Sequence, residues 1–159
     1  MGENMNIIKP ALLKNGDTIG ILAPSGAMDN DTNLKRGISF FEKRGFKVKL
    51  ADNIYSSNRY LAGSDKERLD AIHKMFSDKS INAIICLRGG YGAIRLINQI
   101  DYNVIRENPK IFCGYSDITA LNVMFLKRAG LSTYSGPMIM SDFGQENLCD
   151  YTINKFFQT

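Results

Sequence analysis

Residues 114–119, with the sequence GYSDIT, are the part of this chain whose residue types and spacing best suit chemistry. A short apolar run at residues 110–113 comes before Gly114, Ser116 follows two residues later, and a helical pattern starts just after it. This is the layout of a nucleophile elbow, in which a tight strand-to-helix turn holds a serine hydroxyl clear of the backbone. Such a hydroxyl can attack a carbonyl carbon once a neighbouring base takes its proton. Ser116 is therefore a candidate nucleophile, and the alternative is that it only caps the helix that follows.

A second glycine-rich turn, RGGYG at residues 88–92, follows the apolar run at residues 81–87. If both runs are parallel strands, both turns lie at the carboxyl edge of the sheet, where α/β proteins bind ligands. Backbone N–H groups at that edge could stabilise an oxyanion. A phosphate-binding loop is less favoured, because the turn lacks the Gly-Lys-Ser/Thr ending of a P-loop and the spacing G-x-G-x-x-G. Arg88 would either orient a substrate carboxylate or form a structural ion pair, and the sequence leaves both open.

No base for Ser116 can be identified in the chain. The only histidine, His73, lies beside the apolar stripe of a predicted helix that begins with a capping box at residues 64–67. A histidine at the edge of such a stripe is usually structural. Cys113 is close to Ser116 in sequence, but it falls in an apolar strand, where packing as a small hydrophobe is favoured over a reactive thiol.

The elements that must position these turns alternate between strands and helices. Apolar runs that end in turn residues predict strands at residues 18–23, 46–50, 81–87, 110–113 and 131–134. Helical patterns separate these runs, so we predict an α/β fold with a parallel sheet. Residues 150–159 form a further amphipathic helical pattern without a stop signal, which suggests part of a longer protein.

The composition is that of an ordinary globular domain, with a formal net charge of +4 and a calculated pI of about 9.0. The basic residues are interspersed with acidic ones, whereas nucleic-acid proteins more often show a basic stripe, so nucleic-acid binding is not expected. No apolar run approaches the ~20 residues of a membrane span, and residues 1–15 lack the apolar stretch of a secretory signal. A cytoplasmic protein without membrane contact is expected. The three cysteines form no C-x-x-C pair, which argues against disulfides and a zinc site.

Five ordered pieces of the sequence together resemble the LD-carboxypeptidases of serine peptidase family S66. This family includes the muramoyl-tetrapeptide carboxypeptidases and the microcin C self-immunity peptidases. The pieces are GILAPS at residues 20–25, YLAGSD at 60–65, LRGGYG at 87–92, GYSDIT at 114–119 and GPM at 136–138. The resemblance runs over residues 10–144, and pieces in this order are far more specific than one glycine-rich turn.

The resemblance implies that residues 1–159 form a flavodoxin-like α/β N-terminal domain, with a parallel sheet that has helices on both faces. It implies that Ser116 is the catalytic nucleophile and that the backbone N–H groups of Gly90 and Asp117 form the oxyanion hole. A C-terminal domain absent from this chain would supply the glutamate and histidine of a Ser…Glu…His triad. The resemblance implies no metal and no cofactor.

Members of the family that the chain resembles are cytoplasmic, typically dimeric, and release the terminal D-alanine from murein tetrapeptides during cell-wall recycling. A homodimer that acts on a small murein peptide is therefore expected, and the 159-residue chain alone is expected to be inactive. Two alternatives stay open. Within the family, the protein would be a peptide-antibiotic immunity peptidase; outside enzymes, it would be an α/β module that only binds a small anionic ligand or a regulatory partner.

Overall fold

The protein folds around a parallel sheet of four strands, and the computed structural model describes residues 6–158. The strands are β1 (Thr18–Leu22), β2 (Lys47–Leu50), β3 (Ala83–Cys86) and β4 (Ile111–Cys113), in the spatial order β2-β1-β3-β4. Central strands β1 and β3 are almost wholly buried, which explains their uninterrupted apolar sequences. Strand β2 lies at the edge and alternates lysine with apolar residues. The predicted α/β fold with a parallel sheet is confirmed.

The fifth predicted strand, at residues 131–134, is not a regular strand. It makes only isolated parallel bridges, from Leu131 to Ile8 and from Tyr134 to Cys113. Its two ends therefore pair with different neighbours, and no continuous ladder forms with either of them. The Tyr134 N–H still donates to the Phe112 carbonyl at 2.9 Å, so the segment lies beside β4.

Helices connect the strands along the described part of the chain. They are α1 (Asp31–Glu42), α2 (Asp65–Ser77), α3 (Tyr102–Glu107), α4 (Thr119–Met124) and α5 (Asp150–Gln158). Shorter helical turns cover Ala93–Arg95, Ser116–Ile118, Phe125–Ala129 and Ile139–Phe143. Thr159, the last residue of the predicted C-terminal helix, lies outside the described residues. No helix among residues 6–158 combines the length and the apolar character that a membrane span requires.

The predicted capping box is present at the start of α2. The Ser64 N–H donates to the Glu67 carboxylate at 2.8 Å, and the Glu67 N–H donates to Ser64 Oγ at 3.2 Å. Each side chain thus satisfies a backbone donor that the helix itself leaves unpaired. This fixes where α2 begins, directly after the chain has passed the carboxyl edge of the sheet.

Helices cover both faces of the sheet, as the family resemblance implied. On one face, α1, α5 and the turn Ile139–Phe143 bury a cluster of aromatic rings, in which Phe41 meets Phe143 edge to face at 4.8 Å between centroids. On the other face, α2, α3 and α4 pack against the sheet, and Phe112 meets Phe125 edge to face at 4.8 Å. These two apolar layers hold the strands in place, and the polar groups that matter for function collect where the strands end.

Arg68 on α2 is fully buried, which is rare for an arginine. Its Nη1 donates to the carbonyl oxygens of Pro24 at 2.9 Å and Gly92 at 3.0 Å, and its Nη2 forms an ion pair with Asp65. Pro24 follows β1, and Gly92 closes the glycine-rich turn after β3. One buried side chain therefore ties together two turns at the carboxyl edge of the sheet.

Methionine at position 68 would keep much of the side-chain volume while removing the ion pair and both carbonyl contacts. We expect R68M to lower the free energy of unfolding by about 1–3 kcal/mol, because the buried carbonyl oxygen of Pro24 is left without a partner. Arg95 also pairs with Asp65, but its side chain is 60% exposed, so R95M should cost less than about 1 kcal/mol. Urea unfolding followed by circular dichroism measures both values. Equal losses would contradict the structural role assigned to Arg68.

Candidate active site

Ser116 begins the helical turn between β4 and α4 and has a left-handed backbone, with φ of +61°. Arg59 is the only other non-glycine residue with a positive φ among residues 6–158. This conformation costs a serine about 1–2 kcal/mol, and strained residues of this kind cluster at functional sites. The side chain is exposed, and its hydroxyl has no hydrogen-bond partner among the described residues. The strand–turn–helix layout predicted from the sequence is confirmed, and it carries a free hydroxyl.

The glycine-rich turn after β3 packs directly against Ser116. A Cβ at position 89 would lie 2.9 Å from Ser116 Cβ and 3.0 Å from Ser116 Oγ. On the other side of this turn, a Cβ at Gly26 would meet the Gly89 carbonyl oxygen at 2.6 Å. Three strand-end turns therefore meet closely, because Gly26 packs against the backbone of Gly89 and Gly89 packs against the side chain of Ser116. A side chain at either glycine would push the turns apart.

Two backbone N–H groups border Ser116 and are candidate oxyanion donors. The Gly89 carbonyl accepts a hydrogen bond from the Gly26 N–H at 3.2 Å. Because the N–H of a trans peptide points opposite to its carbonyl, the Gly90 N–H points away from Gly26. Gly90 has φ of +138°, a conformation that side chains disfavour. Asp117 lies in the first turn of a helix, where N–H groups have no acceptor within the helix.

The carboxylate of Asp117 holds the three turns together. Its Oδ2 accepts hydrogen bonds from the Ser25 hydroxyl at 2.6 Å and from the Ala93 N–H at 2.9 Å. Ser25 is fully buried in the turn after β1, and Ala93 begins the helical turn after β3. The family resemblance gave Asp117 only a backbone role, so the sequence analysis did not predict this contact of its side chain. The only available signal was that both residues lie in predicted strand-end turns.

An open cleft of about 610 Å³ lies in front of these turns and is lined by Ser116, Gly89 and Gly90. Its charged lining residues are Arg88 and Asp29, which form an ion pair with each other. The sequence left open whether Arg88 forms an ion pair or faces a substrate. The structure places the ion pair on the wall of the cleft itself.

The two tyrosines next to the glycine-rich and serine turns have different surroundings. Tyr115 is partly buried against the core and also lines the cleft. Tyr91 is 76% exposed and packs edge-on against Tyr60, with 6.3 Å between the ring centroids. Of the two, Tyr115 is the one positioned to contact a ligand near Ser116.

His73 lies on α2, away from the cleft. Its Nε2 accepts a hydrogen bond from the Asp101 N–H at 2.9 Å, directly before α3 begins. This contact gives His73 the structural role that its position on the helix indicated. Among residues 6–158, the cleft therefore has no histidine that could act as a base for Ser116.

Comparison with known proteins identifies the family to which this fold belongs. The sequence model of the LD-carboxypeptidase N-terminal domain, family S66, matches residues 19–136. The chain belongs to the S66 peptidase family. A Bacillus subtilis protein named "Probable murein peptide carboxypeptidase" is 41% identical over 140 residues, which make up 88% of this chain and 44% of that protein. The microcin C7 self-immunity protein MccF of Escherichia coli is 32% identical over 146 residues, covering 90% of this chain and 42% of MccF.

Solved structures show the same fold for this S66 domain. An MccF-like protein from Bacillus anthracis superposes with a TM-score of 0.91 at 38% identity, over 95% of this chain and 46% of that one. MccF in complex with aspartyl sulfamoyl adenosine superposes with a TM-score of 0.90 at 32% identity, over 94% of this chain and 45% of MccF. The chain therefore spans less than half the length of the relatives it matches.

No cysteine within the described part of this S66 domain lines the cleft, so none competes with Ser116 there. Burial raises the pKa of the Cys113 thiol to about 12, and it raises the pKa of Cys86 as well. Cys149 is exposed near the start of α5, where a hydrogen bond from the Thr152 N–H lowers its pKa. Residues 6–158 also contain no group of three or more histidine, cysteine, aspartate or glutamate side chains that could hold a metal ion.

Glycine and alanine at position 116 both remove the hydroxyl, but only glycine relieves the left-handed backbone. We expect S116G to be more stable than S116A by about 0.5–1 kcal/mol, because glycine's larger unfolded-state entropy offsets part of the relieved strain. Ser141 is the matched control, since it lies in the helical turn Ile139–Phe143 without a positive φ. There S141G should be less stable than S141A. Thermal unfolding compares the two pairs, and the same sign at both positions would show that Ser116 is not strained.

The thiols of the S66 domain should differ sharply in reactivity. In the folded chain at pH 8, we expect Cys149 alone to react rapidly with a disulfide reagent, because Cys86 and Cys113 are buried and their pKa values are raised. After unfolding in denaturant, all three should react. Absorbance of the released thiolate counts the reactive groups. Rapid reaction of Cys113 in the folded chain would reopen the case for a thiol nucleophile next to Ser116.

Proposed function

We propose that this chain is the nucleophile-bearing domain of an LD-carboxypeptidase, which cleaves an L-to-D amide bond and releases the terminal D-alanine of murein tetrapeptides. The observation that carries the proposal is the exposed, strained Ser116, which lines the same cleft as the glycine-rich turn. Membership of the S66 family and the 41% identity to the Bacillus subtilis relative support the reaction class.

In the proposed reaction, Ser116 Oγ attacks the carbonyl carbon of the L-residue while a base accepts the hydroxyl proton. The N–H groups of Gly90 and Asp117 donate to the oxyanion that forms, and each such donor typically contributes ~10²–10³ in rate. The C–N bond then breaks, and the base returns the proton to the departing D-alanine amine. Water hydrolyses the remaining acyl-serine ester and regenerates the hydroxyl. We propose that this chemistry needs no metal or cofactor.

The base would come from a second domain, which supplies the glutamate and histidine of the triad. Two observations support this part of the proposal. The matched relatives are more than twice as long as the region that they share with this chain, and His73 is engaged with the Asp101 N–H. From the family resemblance we also propose a homodimer and a cytoplasmic location.

A second candidate function is immunity to a peptide antibiotic. It is favoured by the 32% identity to the microcin C7 self-immunity protein MccF and by the close superposition on the MccF complex with aspartyl sulfamoyl adenosine. Both functions would use the same attack by Ser116. They would differ in the group that leaves, which is D-alanine in one case and a sulfamoyl nucleotide in the other.

The test is D-alanine release from a murein tetrapeptide by a two-domain protein that carries this domain together with a C-terminal half like that of its relatives. S116A should lower the rate by at least ~10³-fold, because the nucleophile is lost. S77A is the matched control, since Ser77 is an exposed residue at the far end of α2 and should leave the rate unchanged. The 159-residue chain alone should release no D-alanine above background.

Other results would lead to other assignments. Faster cleavage of aspartyl sulfamoyl adenosine than of the tetrapeptide would favour the immunity function. Binding of either compound without any cleavage would favour a module that only binds ligands. Full activity of S116A would overturn both peptidase assignments, because neither proceeds without the serine hydroxyl.

A further inference from the structure

A peptidase that removes one terminal residue has to recognise the free carboxylate next to the bond that it cuts. That carboxylate lies one residue beyond the scissile carbonyl, and consecutive α-carbons are only about 3.8 Å apart. A cation close to Ser116 would therefore distinguish a chain end from an internal amide. Within residues 6–158, Arg88 is the only cationic side chain that lines the cleft.

Resting on the carboxypeptidase function proposed above, we propose that Arg88 binds the terminal carboxylate of the substrate and so restricts the enzyme to chain ends. Arg88 follows β3 and directly precedes Gly89, the residue that packs against Ser116. The guanidinium and the candidate nucleophile thus project from adjoining turns into one cleft.

The guanidinium of Arg88 is held in place before any ligand arrives. It lies over the α-carbon of Gly26, where an added Cβ would be 3.2 Å from Arg88 Nε and 3.4 Å from Arg88 Cδ. Its Nη1 forms an ion pair with Asp29 and lies 3.5 Å from the Ala27 carbonyl oxygen. Because these contacts limit the motion of a long side chain, less entropy is lost when a ligand binds.

The contacts of Arg88 leave donors available for a ligand. Its hydrogen bonds and its ion pair all use Nη1, so Nε and Nη2 donate no hydrogen bond within residues 6–158. Arginine presents its N–H groups in a planar fork that matches the two oxygens of a carboxylate. Asp29 is 62% exposed, so water screens its ion pair with Arg88. Asp29 positions the guanidinium without using up its capacity to bind a second carboxylate.

The experiment compares two ligands that differ only at the end group, N-acetyl-L-lysyl-D-alanine and its C-terminal amide. Their binding to the 159-residue chain is measured by NMR titration. We expect the acid to bind about tenfold more tightly than the amide, because the acid alone offers a charged acceptor to Arg88. R88Q should abolish this preference. R88K should retain part of it, because lysine keeps the charge but not the fork.

R95Q is the control, since it removes the same charge from an exposed site on the Asp65 ion pair. Its preference for the acid should equal that of the unmodified chain, and thermal unfolding confirms that each variant is folded. If R88Q does not fold, the R88K variant tests the proposal, and we expect its preference for the acid over the amide to be weakened. An unchanged preference in a folded R88Q, an unchanged preference in R88K, or no binding of either ligand to the unmodified chain would overturn the proposal.

The carboxylate site and the peptidase function are tested independently, because ligand binding tests the first and D-alanine release tests the second. A preference that depends on Arg88, combined with no D-alanine release by the two-domain protein, would support the carboxylate site and remove the peptidase assignment. Serine-dependent release of D-alanine, combined with an acid preference that survives in R88Q, would support the peptidase assignment and remove the carboxylate site. In that case Arg88 only supports the turn at Gly26 and Ala27.

Discussion

The site depends on the close approach of three turns that follow parallel strands, with glycines at the points of contact. Gly26 touches the carbonyl of Gly89, and Gly89 touches Ser116, at separations that leave no room for a Cβ. This packing presses the glycine-rich backbone against the serine hydroxyl and leaves that hydroxyl facing an open cleft. Because real atoms cannot approach more closely, the position of each turn is set by the other two.

Packing alone would not hold these turns, because strand ends carry backbone polar groups that the sheet does not pair. Arg68 satisfies carbonyl oxygens from two of the turns, and Asp117 accepts hydrogen bonds from two of them. The cationic side chain of Arg68 donates to backbone acceptors, whereas the anionic side chain of Asp117 accepts from donors. Arg68 is fully buried, so its hydrogen bonds are stronger than they would be in water. The left-handed backbone of Ser116 persists because this surrounding framework determines it.

The groups around the cleft supply only part of what a serine nucleophile needs. The described residues contribute a hydroxyl, backbone N–H groups and one guanidinium, whereas the single histidine of the chain is used to start a helix. A hydroxyl without a base is a weak nucleophile. The chain matches the N-terminal domain of a peptidase family, and its relatives are more than twice the length of the shared region. These findings agree with the proposal that a second domain supplies the base.

Much of the local structure follows from the sequence, since its causes are residues close together in the chain. The capping box of α2, the apolar central strands and the serine turn after β4 could all be predicted in this way. The segment 131–134 could not, because its apolar pattern does not reveal that its ends pair with different neighbours.

The three-dimensional fold alone decided the contacts between distant segments. An arginine three residues after an aspartate gives the same sequence pattern on an exposed helix and on a buried one. The contacts of the buried Arg68 side chain could therefore not be predicted from the sequence. Ser25 and Asp117 are 92 positions apart, and only the order of the strands in the sheet brings them within hydrogen-bonding distance. A sequence determines which turns can form from nearby residues. The packing of the apolar faces of distant helices and strands decides which of these turns meet. The turns that meet then decide which polar groups form hydrogen bonds with each other.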